Sequence, residues 1–135
     1  MKLVDLNTHE EQFARSFIVP EKRSRYLSLL ESKRGRKKLL DNLSHCCDLD
    51  SRYAELIPSN EQSAQSIEQL LKKKGAPAVC YIMSSDPHVD KQEMRLSEAL
   101  LSTVGMDIGA MISCIPGKLV YVELEGFSNR YILER

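Results

Sequence analysis

Gly75-Ala76-Pro77-Ala78-Val79-Cys80-Tyr81-Ile82-Met83 divides the chain into two kinds of sequence. Glycine and proline stop a helix here, and the apolar run that follows is rich in strand formers. Its length suits a strand with both faces covered and is far short of a membrane span. Before it, residues 1–75 read as helices. After it, residues 76–135 read as strands with one helix. The charges divide at the same place: residues 1–75 carry a net +3 and residues 76–135 a net −3.

Upstream, the helix at 60–74 is the best specified. Ser59 reads as its N-cap and Gln62 as the partner in a capping box. Ala64, Ile67, Leu70 and Leu71 fall on one face, and Lys72, Lys73 and Lys74 complement the negative end of the dipole. Further upstream, Thr8 and Glu11 suggest a capping box for a helix at 9–18, with Phe13, Ala14, Phe17 and Ile18 as its stripe. Pro20 opens a second helix at 21–31, burying Tyr26, Leu27 and Leu30. A third runs to about 46 with Leu39, Leu40 and Leu43 inward.

Downstream, residues 84–95 read as a polar loop and 97–104 as a short helix. Strands are expected at 108–115, 119–125 and 130–134, with Pro116-Gly117 in a type II turn. The expected fold is therefore α+β: N-terminal helices packed on a C-terminal four-stranded, mostly antiparallel sheet. The last three strands form a meander, and the strand at 78–83 joins it by a crossover through the short helix. The chain has 135 residues, which fits a single domain, 1–135.

Composition narrows the function classes. Lys plus Arg and Asp plus Glu are both 19, so a wholesale polyanion binder is disfavoured. Hydrophobic residues are 42% and charged residues 28%, as in a globular rather than a disordered chain. Asp5 and Asn7 interrupt the apolar start that a signal peptide needs, so the expected setting is soluble and cytoplasmic, with no membrane partner. There, Cys46, Cys47, Cys80 and Cys114 are expected as reduced thiols. Their spacing with His45 and His88 matches no common ligand pattern, so no metal or cofactor is expected. His9-Glu10 opens like a metalloprotease motif, but Phe13 stands where the second histidine belongs.

Three stretches carry candidate chemistry. Residues 22–38 hold eight basic side chains against Glu31, a local +7 in a neutral chain. Lys33, Arg34, Arg36, Lys37 and Lys38 lie at the start of the third helix, where free amides and cations together suit an anion. Gly35 would let an anion approach the backbone. A solvated cationic face is the competing reading. The second stretch is Ser84-Ser85-Asp86-Pro87-His88-Val89-Asp90, where Asp86 or Asp90 could hold His88 as a general base. Ordinary turn chemistry, since Ser, Asp and Pro are the usual loop residues, is the reading that comes first. The third is Cys114, an activated thiol only if it meets His88.

No complete catalytic constellation emerges, so the preferred reading is a non-catalytic binding or regulatory module for a protein or an anionic ligand. A nucleic-acid-binding protein using residues 22–38 is the alternative. A small enzyme using His88 with Cys114 or Asp86 is the third. The hairpin at 118–134, with Tyr121, Phe127 and Tyr131, offers a sheet edge for self-association or a protein partner.

Overall fold

The computed structural model describes residues 7–126 and 129–135. Phe127 of the expected hairpin lies outside them. Helices α1 (Thr8–Phe17), α2 (Pro20–Leu30) and α3 (Lys33–Asp41) come first, and α4 is Ala64–Lys73. Strand β1 (Ala54–Leu56) lies between α3 and α4, and β2 (Val79–Ser84) and β3 (Glu93–Arg95) follow. Helix α5 (Leu96–Thr103) then leads to β4 (Ala110–Ile115), β5 (Leu119–Glu123) and β6 (Arg130–Glu134). The fold is α+β, with all six strands in one antiparallel sheet of order β1-β6-β5-β4-β2-β3.

Period-two alternation sends neighbouring side chains to opposite faces, and both faces are covered. Tyr81, Met83, Met111, Val120, Val122 and Leu133 meet Phe13, Phe17, Tyr26, Leu30 and Leu39 from α1, α2 and α3. Cys80, Ile82, Ile112, Cys114, Tyr121 and Ile132 meet Ile67 and Leu71 of α4 and Leu96, Ala99 and Leu100 of α5. The helix at 64–73 therefore lies across the sheet from the other N-terminal helices, not beside them. Each fully buried Phe or Leu contributes about 1.5–3 kcal/mol, so both layers matter.

Four strands were expected and six are present. The extra two, β1 and β3, are three residues each, too short to show a period. They change the topology. Strand β2 is not joined to the meander by a parallel crossover; it pairs antiparallel with β4 through Tyr81–Ser113, Ile82–Ile112 and Met83–Met111. β3 turns the chain back along the other side of β2. The crossover through α5 thus links β3 to β4, which run parallel with β2 between them. β1 also covers β6, so the C-terminal strand is not the sheet edge it was expected to be. No helix among the described residues is long and apolar enough to cross a membrane.

Helix starts shift for local reasons. Asn7, not Thr8, caps α1, its side chain accepting from the amides of His9 and Glu10. Ser63, not Ser59, caps α4, because Ser59–Glu61 forms a separate 3-10 turn. Gln62 is buried and donates to the Ile57 carbonyl at 2.7 Å instead of closing a box. The third helix ends at Asp41, and a 3-10 turn at Leu43–His45 replaces its last residues.

Gly35 has a packing role. A Cβ there would lie 2.4 Å from the Leu29 carbonyl oxygen, because α3 crosses the end of α2 at backbone distance. Gly35→Ala is expected to destabilise the protein by about 1–3 kcal/mol from this overpacking, despite alanine's better helix propensity. A urea midpoint equal to or above wild type would contradict that packing.

Candidate functional site

Helix α1 turns Phe13, Ala14 and Phe17 toward the sheet, and Glu10, one turn before Phe13, is carried to the same face. A carboxylate there needs partners. Tyr81 on β2 donates its hydroxyl to Glu10 Oε2 at 2.5 Å. Arg36 on α3 donates Nε to Glu10 Oε1 at 2.9 Å and Nη2 to Oε2 at 2.7 Å.

The other edge of the same guanidinium grips Asp90, in the turn between β2 and β3. Nη1 reaches Asp90 Oδ2 at 2.7 Å and Nη2 reaches Oδ1 at 2.8 Å, while the Ser84 amide also donates to Oδ1 at 3.0 Å. The side chains of Glu10, Arg36 and Asp90 are 6%, 11% and 15% exposed, so this is an interior network. Burial opposes the charge on Arg36, but its hydrogen bonds to Asp90 and Glu10 outweigh it and hold the guanidinium more firmly protonated than usual. Burial, then the bond to Glu10, raises the Tyr81 hydroxyl above its ordinary range, keeping it a donor.

Beside the network lies a cleft of about 520 Å³, walled by α1, the α2–α3 corner and the β2–β3 hairpin. Leu30, Leu40 and Tyr81 line its depth, with Glu10 and Arg36. Lys33, Lys37, Lys91 and Glu93 stand at its exposed mouth, with Asn7 and Ser32. Lys91 adopts φ 65° and donates its amide to the Ile82 carbonyl at 2.8 Å, which closes the hairpin turn.

The basic stretch 22–38 is divided among several places. Arg36 is inside, tied to two carboxylates. Lys33 and Lys37 face the cleft, and Lys37 also pairs with Asp41 at 2.9 Å. Lys38 lines a separate depression of about 200 Å³ with Arg25 and Tyr26. Arg34 is exposed and lines neither. Arg23 donates to the Ile18 carbonyl at 2.8 Å and approaches Asp50 at 3.7 Å. Among the described residues, no carboxylate lies within ion-pair distance of Lys22, Arg25, Lys33, Arg34, Lys38 or Lys91. Gly35 serves the contact with Leu29 described above, where an open backbone for an anion had been expected.

The other two candidate stretches do not converge. The His88 side chain is 91% exposed, and its ring and amide both contact Asp86 Oδ1, at 3.2 and 3.0 Å. The hydrogen bond from the His88 amide is the main reason the Asp86 carboxyl is held below its usual range. Cys114 is buried on the α4–α5 side, where burial pushes its thiol up to about 12, opposite to what a nucleophile needs. No hydrogen bond or ion pair joins His88 to Cys114 among the described residues. Nor is any group of three His, Cys, Asp or Glu side chains there arranged to hold a metal ion.

His9 packs into the fold, while His45, largely exposed, lies 3.0 Å from Glu125. The His9 ring stacks on Tyr81, with centroids 5.1 Å apart and planes 9° from parallel. Its Nδ1 lies 2.7 Å from the Ser113 hydroxyl. Ser113 is fully buried in β4, so the pair completes an interior hydrogen bond rather than presenting a nucleophile. Glu10, Tyr81, Lys91, Glu93 and His9 were all absent from the sequence-derived candidates. Two of them left a trace in the sequence: His9-Glu10 opens an incomplete metalloprotease motif, and Glu10 is a charge in register with the apolar stripe of α1.

Compared with protein-family models, curated proteins and solved structures, the chain matches none.

Arg36→Leu should strand two carboxylates and cost about 3–5 kcal/mol in urea unfolding. Adding Glu10→Leu and Asp90→Asn should recover much of that loss. A second expectation concerns pH. Burial lowers the His9 pKa, with Glu93 and Glu10 pulling the other way. The unfolded chain, titrating near 6.5, therefore binds the proton more readily. This contribution is complete above that pH and is lost as pH falls below it. The melting temperature should drop between pH 7.5 and 5.5, and less so in His9→Gln; equal drops would exclude His9 as the cause.

Proposed function

We propose that the protein is a non-catalytic binding module that takes an anionic ligand in the cleft between α1, the α2–α3 corner and the β2–β3 hairpin. The observation that carries this reading is the balance of hydrogen-bonding capacity in the cleft. Glu10, the carboxylate of the floor, already accepts three hydrogen bonds, two from Arg36 and one from Tyr81. At the mouth stand the ammonium groups of Lys33 and Lys91, which no described carboxylate pairs, together with Lys37. Two exposed carboxylates oppose them: Glu93 in the lining and Asp41, which pairs with Lys37. Such a surplus of charged donors suits a carboxylate or a phosphate.

Division of the cations favours a small ligand over a nucleic acid. A polyanion needs cations that follow its backbone along one surface. Here Lys33 and Lys38, only five positions apart, line different depressions, and the Arg36 side chain, 11% exposed, is committed to Glu10 and Asp90.

A thermal-shift panel of inorganic and organic phosphates and carboxylates, with each hit then titrated, tests the proposal. At least one anion should bind, and Lys33→Ala with Lys91→Ala should weaken it tenfold or more, since a hydrogen bond to a charged group contributes about 1.5–3 kcal/mol. Arg25→Ala with Lys38→Ala should leave it unchanged. A panel without a hit, or a hit indifferent to Lys33 and Lys91, overturns the assignment.

A further inference from the structure

The deep end and the mouth of the cleft differ in chemistry, and the contrast narrows the class of anion. Building on the anion site proposed above, we infer that the ligand is a small amphiphile, a compact hydrocarbon body with one carboxylate or phosphate head. The body lies against Leu30, Leu40 and the Tyr81 ring, and the head sits between Lys33 and Lys91.

Exposure sets the orientation. Leu30 and Tyr81 are 5% and 4% exposed and Leu40 is half-buried, whereas Lys33 and Lys91 are exposed. A head group driven to the floor would find little to bind. The bonds of Arg36 to Glu10 and Asp90 engage all three of its nitrogens, and the Tyr81 hydroxyl is held by Glu10. Burying a second charged group there would leave it unpaired, at a cost of several kcal/mol. Apolar carbon meets no such penalty, and each buried methylene contributes about 0.8 kcal/mol. The floor thus rejects two-headed and polyanionic ligands, while the mouth selects for one anionic head.

Volume agrees with this class. About 520 Å³ falls within the range of small-molecule sites, roughly 300–1,000 Å³. Glu93 weakens the positive field at the mouth without abolishing it, so it tunes affinity downward.

Titration calorimetry on the full chain with phenyl phosphate, inorganic phosphate and benzyl alcohol separates the two claims. Phenyl phosphate should bind at least tenfold more tightly than either of the others. Glu93→Gln should tighten it several-fold, and Leu40→Thr should weaken it at least fivefold. Inorganic phosphate binding as well as phenyl phosphate overturns the amphiphile and leaves the anion site standing. Benzyl alcohol binding as well as phenyl phosphate overturns both, and no binding by any of the three overturns the amphiphile, leaving the anion site to the wider panel. If Leu40→Thr does not fold, the order of the three probes on the wild-type protein decides alone.

Discussion

One guanidinium holds three parts of the chain in place. Arg36 brings α3 to Glu10 of α1 on one edge and to Asp90 of the β2–β3 turn on the other. Two carboxylates around one cation leave a residual negative charge in the interior, which has no justification unless further donors share it. The Tyr81 hydroxyl and the Ser84 amide supply them. The result is a clamp whose strength lies in bidentate geometry on both sides of a planar group, which lysine could not provide. Because the clamp sits beside the cleft, it commits the donors of the cleft's floor to the protein's own carboxylates.

The two-sided sheet gives the clamp its setting. Each strand sends alternate residues to two separate helical layers, so Tyr81 serves the α1–α3 side while its neighbours Cys80 and Ile82 serve α4 and α5. This division decides which side chains can meet at all. It places His9, Tyr81 and Ser113 together on one face and Cys114 on the other. Glu123, another interior carboxylate, shows the same economy of design: it accepts from the Gly105 and Asp107 amides and the Tyr121 hydroxyl, pinning the loop between α5 and β4. Glu10 and Glu123 act as architectural anchors, and neither is presented to a ligand unpartnered.

Legibility in the sequence followed interaction range. The helix at 64–73 and the strands at 110–115, 119–123 and 130–134 are specified by local periodicity and by Gly75 and Pro116-Gly117, so they were readable. β1 and β3 exist only because β6 and β2 offer hydrogen-bonding edges, and no three-residue segment advertises that. The capping residues were misplaced by one position at α1 and four at α4, where serine, threonine and asparagine compete over adjacent sites. At the site, the cluster 33–38 drew notice by its charge, yet charge alone could not separate inward-facing Arg36 from exposed Lys33, Arg34, Lys37 and Lys38.

Residue order alone settled the α+β class, most of the helical faces and the crowding of cations at the start of α3, because each depends on neighbours within a few positions. Tertiary structure decided the rest: that β2 lies between β3 and β4, that α4 crosses to the far face, and that Arg36 belongs to Glu10 and Asp90 rather than to solvent. Those outcomes join residues 26 and 54 positions apart. A contact at such range is selected by how whole layers pack, and no local pattern encodes it.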